Sequence, residues 1–204
     1  MNHTTRLALA VSLGAAQQAV ASGFIDDSKA SLDLRNFYYN QDTRNAKAPT
    51  DKEWGQAFMF NYQSGFTEGT VGLGVDVQQW YGLRLDASGR SGKKGEDITP
   101  GSVFPLDDGK AAQDFSKTGV TGKMRIAQTQ LKVGSMMPKL PVLTTEDGRL
   151  LPQTFRGYQV DSKDFKDFNL VAGKIEQVLD RNSSNGQGMS IAGANDPIKG
   201  KDSN

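Results

Sequence analysis

Apolar and polar residues alternate along most of this chain with a period of two, the repeat of a strand with one oily and one polar face. In Ala30 to Tyr39, Ala30, Leu32 and Leu34 fall on one face and Ser31, Asp33 and Arg35 on the other. Trp54 to Tyr62 sets Trp54, Phe58, Phe60 and Tyr62 against Gly55, Ala57 and Asn61. The clearest run turns Val71, Leu73, Val75, Val77, Tyr81, Leu83 and Leu85 one way. Gly72, Gly74, Asp76, Gln78, Arg84 and Asp86 face the other. Gly119 to Thr129 opposes Met124 and Ile126 to Lys123 and Arg125. Leu131 and Val133 then oppose Gln130, Lys132 and Gly134 in a strand that follows almost directly. Tyr158 to Val160 and Asn169 to Val178 are further strands, the last with mixed parity. The pattern predicts about seven amphipathic strands, and no helical period competes.

The connections differ in length. Asn40 to Glu53 is polar, contains Pro49 and reads as a loop, whereas Ser64-Gly65 and Glu68-Gly69 mark a tight connection. Asp86 to Lys117 is long, polar and glycine-rich, with Pro100 and Pro105. Met136 to Gly157, with Pro138, Pro141 and Pro152, is a second long loop, and from Arg181 onward no element is suggested. Loops this long are unusual in a compact soluble domain. Alternately short and long connections are instead the pattern of outer-membrane barrels. Tyr38, Tyr39, Trp54, Tyr62, Trp80 and Tyr81, near the predicted strand ends, suit interfacial girdles. On strand pattern alone, a soluble sandwich with an oily core stays open. In a barrel the charged face becomes the lumen, and Arg35, Arg84, Lys123, Arg125 and Lys132 would there favour anionic groups on passing solutes.

The N-terminus reads as an export signal. Met1 to Arg6 is a short n-region and Leu7 to Ala16 an apolar run. Ala19-Val20-Ala21 puts small residues where a signal peptidase reads, predicting cleavage before Ser22. The run is too short to span a bilayer as a helix, and nothing after Ala21 approaches the ~18 apolar residues that would. A periplasmic or secreted soluble protein, attachment to a membrane surface and an inserted β-barrel are the readings that remain.

Composition mainly excludes. The 204 residues hold 24 Lys+Arg and 23 Asp+Glu, a balance that argues against nucleic-acid binding. Zero cysteines exclude a disulfide scaffold, thiolate zinc sites and cysteine nucleophiles. His3 is the sole histidine and leaves with the signal, so no Ser-His-Asp triad can form. Gly89, Gly92 and Gly95 resemble a phosphate loop only in glycine content. Asp26-Asp27 and Asp107-Asp108 lack EF-hand spacing and read as surface loop charge. No enzyme, metal or cofactor is expected.

Ser22-Gly23-Phe24-Ile25-Asp26-Asp27-Ser28-Lys29-Ala30, followed by Leu34-Arg35-Asn36-Phe37-Tyr38, resembles the mature start of the OprD family of bacterial outer-membrane porins. Ser64 to Gly72, Gly74-Val75-Asp76, Tyr81 to Asp86, Leu131 to Gly134, Met137-Pro138 and Arg149 to Thr154 extend the likeness to about Val178. The resemblance implies a monomeric barrel of about eighteen strands in the outer membrane of a Gram-negative bacterium. It passes small solutes such as basic amino acids, carboxylates and some antibiotics through a narrow channel. The family's third external loop folds inward. By position it is Met136 to Gly157, with Pro138, Pro141, Asp147, Arg149 and Pro152 as its nominated constriction residues. A row of basic residues on the inner wall guides the solute carboxylate, and the wall parity nominates Arg35, Arg84, Lys123, Arg125 and Lys132.

Two departures stand out. Relatives often carry Asn-Arg-Asp after the first strand, where this chain has Asn40-Gln41-Asp42, with Arg44 as a replacement at most. The chain also ends Lys199-Gly200-Lys201-Asp202-Ser203-Asn204, without a closing strand or terminal aromatic. The expectation is therefore an all-β fold, a partial transmembrane antiparallel β-barrel of about seven strands behind a signal peptide. Residues 1–21 are the signal, 22–180 the N-terminal part of the barrel and 181–204 a polar tail, an external loop where the chain is cut off. Its expected partners are small solutes, outer-membrane lipid and the barrel assembly machinery. The alternative is a soluble periplasmic or secreted β-rich binding protein.

Overall fold

In the computed structural model, residues 23–41, 51–87 and 101–189 are described. The predicted signal, the predicted tail beyond residue 189 and Arg44 lie outside them. A single helical turn at residues 23–26 leads into β1 (Lys29–Gln41). Long strands follow as β2 (Asp51–Gln63), β3 (Val71–Ala87), β6 (Asp114–Ile126), β7 (Thr129–Met136), β10 (Thr154–Ser162) and β11 (Leu170–Leu179). Short pairs lie between them: β4 (Leu106–Asp107) with β5 (Lys110–Ala111), and β8 (Lys139–Leu140) with β9 (Leu143–Thr144). A two-residue strand, β12 (Gln187–Gly188), pairs with β11.

The long strands and β12 form one antiparallel sheet in the order β1-β2-β3-β6-β7-β10-β11-β12, a meander in which every neighbour in sequence is a neighbour in space. Long connections gather at one end and short ones at the other. Ala127 and Gln128 alone join β6 to β7. Asp164, in the short connection after β10, accepts hydrogen bonds from Gln128 N (2.9 Å) and Thr129 Oγ1 (2.5 Å). Those two donors hold its carboxyl below the usual carboxylate range. No described helix is long and apolar enough to cross a membrane.

The register sorts side chains into rows. Leu34, Phe58, Tyr81 and Ser116 align across the first four long strands on one face, and Arg35, Ala57, Gly82 and Phe115 align on the other. The apolar row faces outward: Leu34 is 64% and Leu73 53% exposed. A soluble sandwich buries such a face. The buried apolar cluster lies instead on the inner face, where Ala57, Met59, Trp80 and Phe115 meet Val103, Phe104, Ala111, Leu150 and Leu151 from the two long loops.

The sequence reading needs three corrections. Trp80 is not a girdle residue: it is 2% exposed on the inner face, and its Nε1 donates to Asn61 Oδ1 at 2.9 Å. Tyr39 also points inward, packed against the buried cluster. The long loops are shorter than the polarity pattern suggests, because β6 begins at Asp114 and β10 at Thr154.

Candidate functional site

The inner face of the sheet and the loop of residues 137–153 enclose an open trough of ≈ 1460 Å³. Its lining carries charges of both signs, with Lys29, Arg35, Lys132 and Lys139 against Asp33, Asp76, Asp147 and Asp161. Asn61, Gln78, Thr121, Ser135 and Gln159 supply further polar contacts. The lining reaches Ser135 as well as Lys132, although strand alternation turns them to opposite faces. Gly134 lies between them, at φ 132°, and a Cβ there would sit 2.1 Å from the Val120 carbonyl oxygen.

The loop enters the trough in stages. Thr145 N donates to the Pro138 carbonyl at 2.9 Å, closing the base of the β8–β9 hairpin, and Pro141 sits exposed at its turn. The chain then crosses toward β1. Arg35 Nη1 and Nη2 donate to the two carboxylate oxygens of Asp147 at 2.6 and 3.1 Å, and Nη1 also reaches the Arg149 carbonyl at 2.8 Å. This fork-on-carboxylate geometry is the most directional ion pair available to side chains. The Arg149 guanidinium lies over the Tyr39 ring at 4.3 Å, and its Nε donates to the Ser102 carbonyl at 3.3 Å. Leu150 and Leu151 are fully buried, and the Pro152 carbonyl accepts from Lys117 Nζ at 2.8 Å.

The nominated basic residues separate in space. Arg35 and Lys132 line the trough. Lys132 has no side-chain hydrogen bond or ion pair among the described residues. Lys123 is 2.6 Å from Asp76 and donates to the Ser64 carbonyl at 2.9 Å, which leaves 7% of its side chain exposed. Arg125 stacks over the Phe66 ring at 4.4 Å, at the short-turn end. Arg84 donates to the Ala111 carbonyl at the long-loop end. The five nominated loop residues all belong to the inward-folded segment, with Asp147 and Arg149 at its contact with β1.

The sequence reading missed Glu53 and Lys117. Lys117, buried on the inner face of β6, donates to the carbonyls of Pro152, Leu179 (3.4 Å) and Asp180 (2.5 Å). It thereby ties the end of the inward loop to the end of β11. Glu53 has no exposed surface and accepts from four consecutive backbone N–H groups, those of residues 101–104. Both charges are held by backbone from loops distant in sequence, and no local motif announces that.

An antiparallel meander with an oily outer face, a polar inner face and a loop folded against that inner face is the wall of an outer-membrane β-barrel. A family description, outer membrane porin, OprD family, matches residues 22–204. The chain belongs to the OprD family of outer-membrane porins of Gram-negative bacteria. It is 46% identical over 175 residues to the porin-like protein GalP of Pseudomonas putida, covering 85% of this chain and 41% of GalP. Pseudomonas aeruginosa OccK8 (OprE) superposes with a TM-score of 0.73 at 51% identity, over 85% of this chain and 39% of that one. Pseudomonas aeruginosa OpdK, solved with vanillate, superposes with a TM-score of 0.70 at 42% identity, over 81% of this chain and 40% of that one. The chain thus spans about two-fifths of the length of these relatives.

Proposed function

We propose that this chain forms part of the wall, together with the constricting loop, of an outer-membrane channel through which small solutes diffuse. The observation that carries the reading is the bidentate contact of Arg35 with Asp147, which ties the inward loop to the wall and narrows the trough. The long-loop end faces outside and the short-turn end the periplasm, as in outer-membrane barrels generally.

The solutes are small and charged: carboxylates, basic amino acids and some antibiotics. Vanillate, with which OpdK was solved, is an aromatic carboxylate, and Lys132 is a wall cation without an ion-pair partner among the described residues that could receive such a group. Arg35, neutralised by Asp147, acts chiefly on the loop. Lys123, Arg125 and Arg84 contribute to the field toward the two mouths. Asp33 and Asp161 give the same passage sites for ammonium groups. Outer-membrane lipid covers the oily face, the barrel assembly machinery inserts the chain, and the whole barrel works as a monomer after removal of residues 1–21.

The test is to purify the protein from outer membranes, measure its intact mass and record it in planar bilayers. Small channels that a carboxylate such as benzoate blocks are expected. Release of the protein by osmotic shock, with no channels, would favour a soluble binding protein and end the channel reading.

A further inference from the structure

We propose that Glu53 positions the constriction, using residues 101–104 as a wedge beneath the inward loop; this rests on the channel reading above. Glu53 is on the inner face of β2 near the long-loop end, with no exposed surface. Its Oε1 accepts from Gly101 N (2.9 Å), Ser102 N (2.7 Å) and Val103 N (3.0 Å), and its Oε2 from Phe104 N (2.9 Å). No cation pairs with it among the described residues.

A carboxylate stripped of water and lacking a counter-ion is strongly destabilising unless hydrogen bonds take over the role of solvent. Consecutive N–H groups converging on one anion do so, and they are fixed in space in return. Gly101, at φ 123°, supplies the backbone bend that lets them converge. Glu53 therefore pins the segment to the wall through four backbone N–H groups, with the neighbouring Asp51 carboxyl bonded to Ser102 and Asn182 Nδ2 to the Gly101 carbonyl as lesser ties.

What it carries is the support of the constriction. Val103 and Phe104 have no exposed surface and belong to the same buried cluster as Leu150 and Leu151 of the inward loop. Ser102 accepts from Arg149 through its carbonyl. The Arg35–Asp147 contact tethers the tip of the loop, and the wedge sets how far the arm behind the tip stands off the wall. Glu53 touches no solute in this arrangement. It acts through two loops on the width of the passage.

The chain has no cysteine, so a single introduced thiol is an unambiguous reporter. Val103→Cys and Leu150→Cys are each placed in the otherwise unmutated protein and in a Glu53→Gln background. Labelling by a bulky water-soluble maleimide is then timed in isolated outer membranes. The amide replaces one accepting oxygen with a donor and removes the charge. Both thiols are expected to label about tenfold faster in E53Q, the population shift expected from losing one charge-assisted hydrogen bond. Single-channel conductance of E53Q rises, with unchanged heat-modifiable mobility on gels. Faster labelling at Val103→Cys alone, or at neither site, overturns the proposal, as does an unchanged conductance. If E53Q fails to reach the folded band, Glu53→Asp replaces it with the same outcomes, since it keeps the charge but withdraws it by one methylene. Absence of conduction by the unmutated protein counts against the channel reading, while the labelling rates still decide the positioning role.

Discussion

Lys123 on β6 and Lys132 on β7 stand directly opposite each other on the inner face, and only one of them is neutralised. Like charges in directly paired positions repel. Asp76, from β3, removes one of the two by pairing with Lys123 at 2.6 Å. Lys132 is left facing the trough with no side-chain hydrogen-bond or ion-pair partner among the described residues. Lys132→Ala is expected to lower the anion-to-cation permeability ratio about twofold, equivalent to about 0.4 kcal/mol. Removing the paired charges together, as Asp76→Asn with Lys123→Gln, is expected to leave that ratio near its original value. Reversal potentials in a salt gradient measure both. An unchanged potential for Lys132→Ala would remove it from the conduction path.

Gly55 leaves the space that the two long loops fill. A Cβ at Gly55 would lie 2.6 Å from Phe104 Cζ and 2.8 Å from Leu150 Cδ2. Gly55→Ala therefore drives Phe104 and Leu150 off the wall, an overpacking cost of about 1–3 kcal/mol. The expected result is a lower urea midpoint for the folded barrel, together with faster proteolysis of the loop of residues 137–153. An unaltered midpoint would mean that the loops shift without cost.

The strands were legible where outward residues meet an apolar surroundings, as at Leu32, Phe60, Leu73 and Val120, all exposed on the outer face. They were illegible where that polarity inverts. In Asp114 to Thr118 the inward residue Phe115 is apolar because the loops pack on it, and the outward Asp114, Ser116 and Thr118 are polar. Thr154 to Gly157 inverts in the same way, with Phe155 buried and Arg156 exposed. Trp80 was readable: its even number puts it opposite Tyr81, on the polar face. Glu53 and Lys117 were not, since their partners lie 48 to 51 residues away for Glu53 and 35 to 63 for Lys117.

Lys117 is the converse of Lys132, a cation with no access to the trough and three carbonyl oxygens around it. Lys117→Met keeps the apolar stem and removes the donor, leaving the Pro152, Leu179 and Asp180 carbonyls without that partner. Loss of a charged donor to buried carbonyls is expected to destabilise by about 2–3 kcal/mol. Trypsin cleavage after Arg149 in intact membranes should speed up accordingly. Equal cleavage rates would mean that water enters and replaces the ammonium.

At the short-turn end, Asp164 links stability to pH. Its carboxyl is held below the usual range by the Thr129 hydroxyl and the Gln128 N–H. A depressed folded-state pKa gives stability that is present above the unfolded value of about 3.9 and lost as pH falls through the folded value. Asp164→Asn should therefore reduce stability at neutral pH and flatten its decline in acid. Because the group is exposed, the effect is small, and urea midpoints compared from neutral pH to below pH ~4 reveal it.

The Arg35–Asp147 contact poses a different question, since it is well formed yet partly open to water, with side chains 27% and 50% exposed. An exposed ion pair is worth about 0.5–1 kcal/mol after screening, a factor of about two to five in population. That is too little to decide whether the barrel folds, but enough to decide how often the tip of the loop leaves β1. Arg35→Ala is therefore expected to preserve folded yield and to raise open-channel current noise, with excursions to higher conductance. High salt should produce part of the same noise in the unmutated channel by screening the pair. The charge swap, Arg35→Asp with Asp147→Arg, should quiet the current again if attraction across the trough is what holds the tip. Persistent noise in the swap would show instead that the Arg149 carbonyl, which only an arginine at position 35 reaches, is the stronger half of the latch.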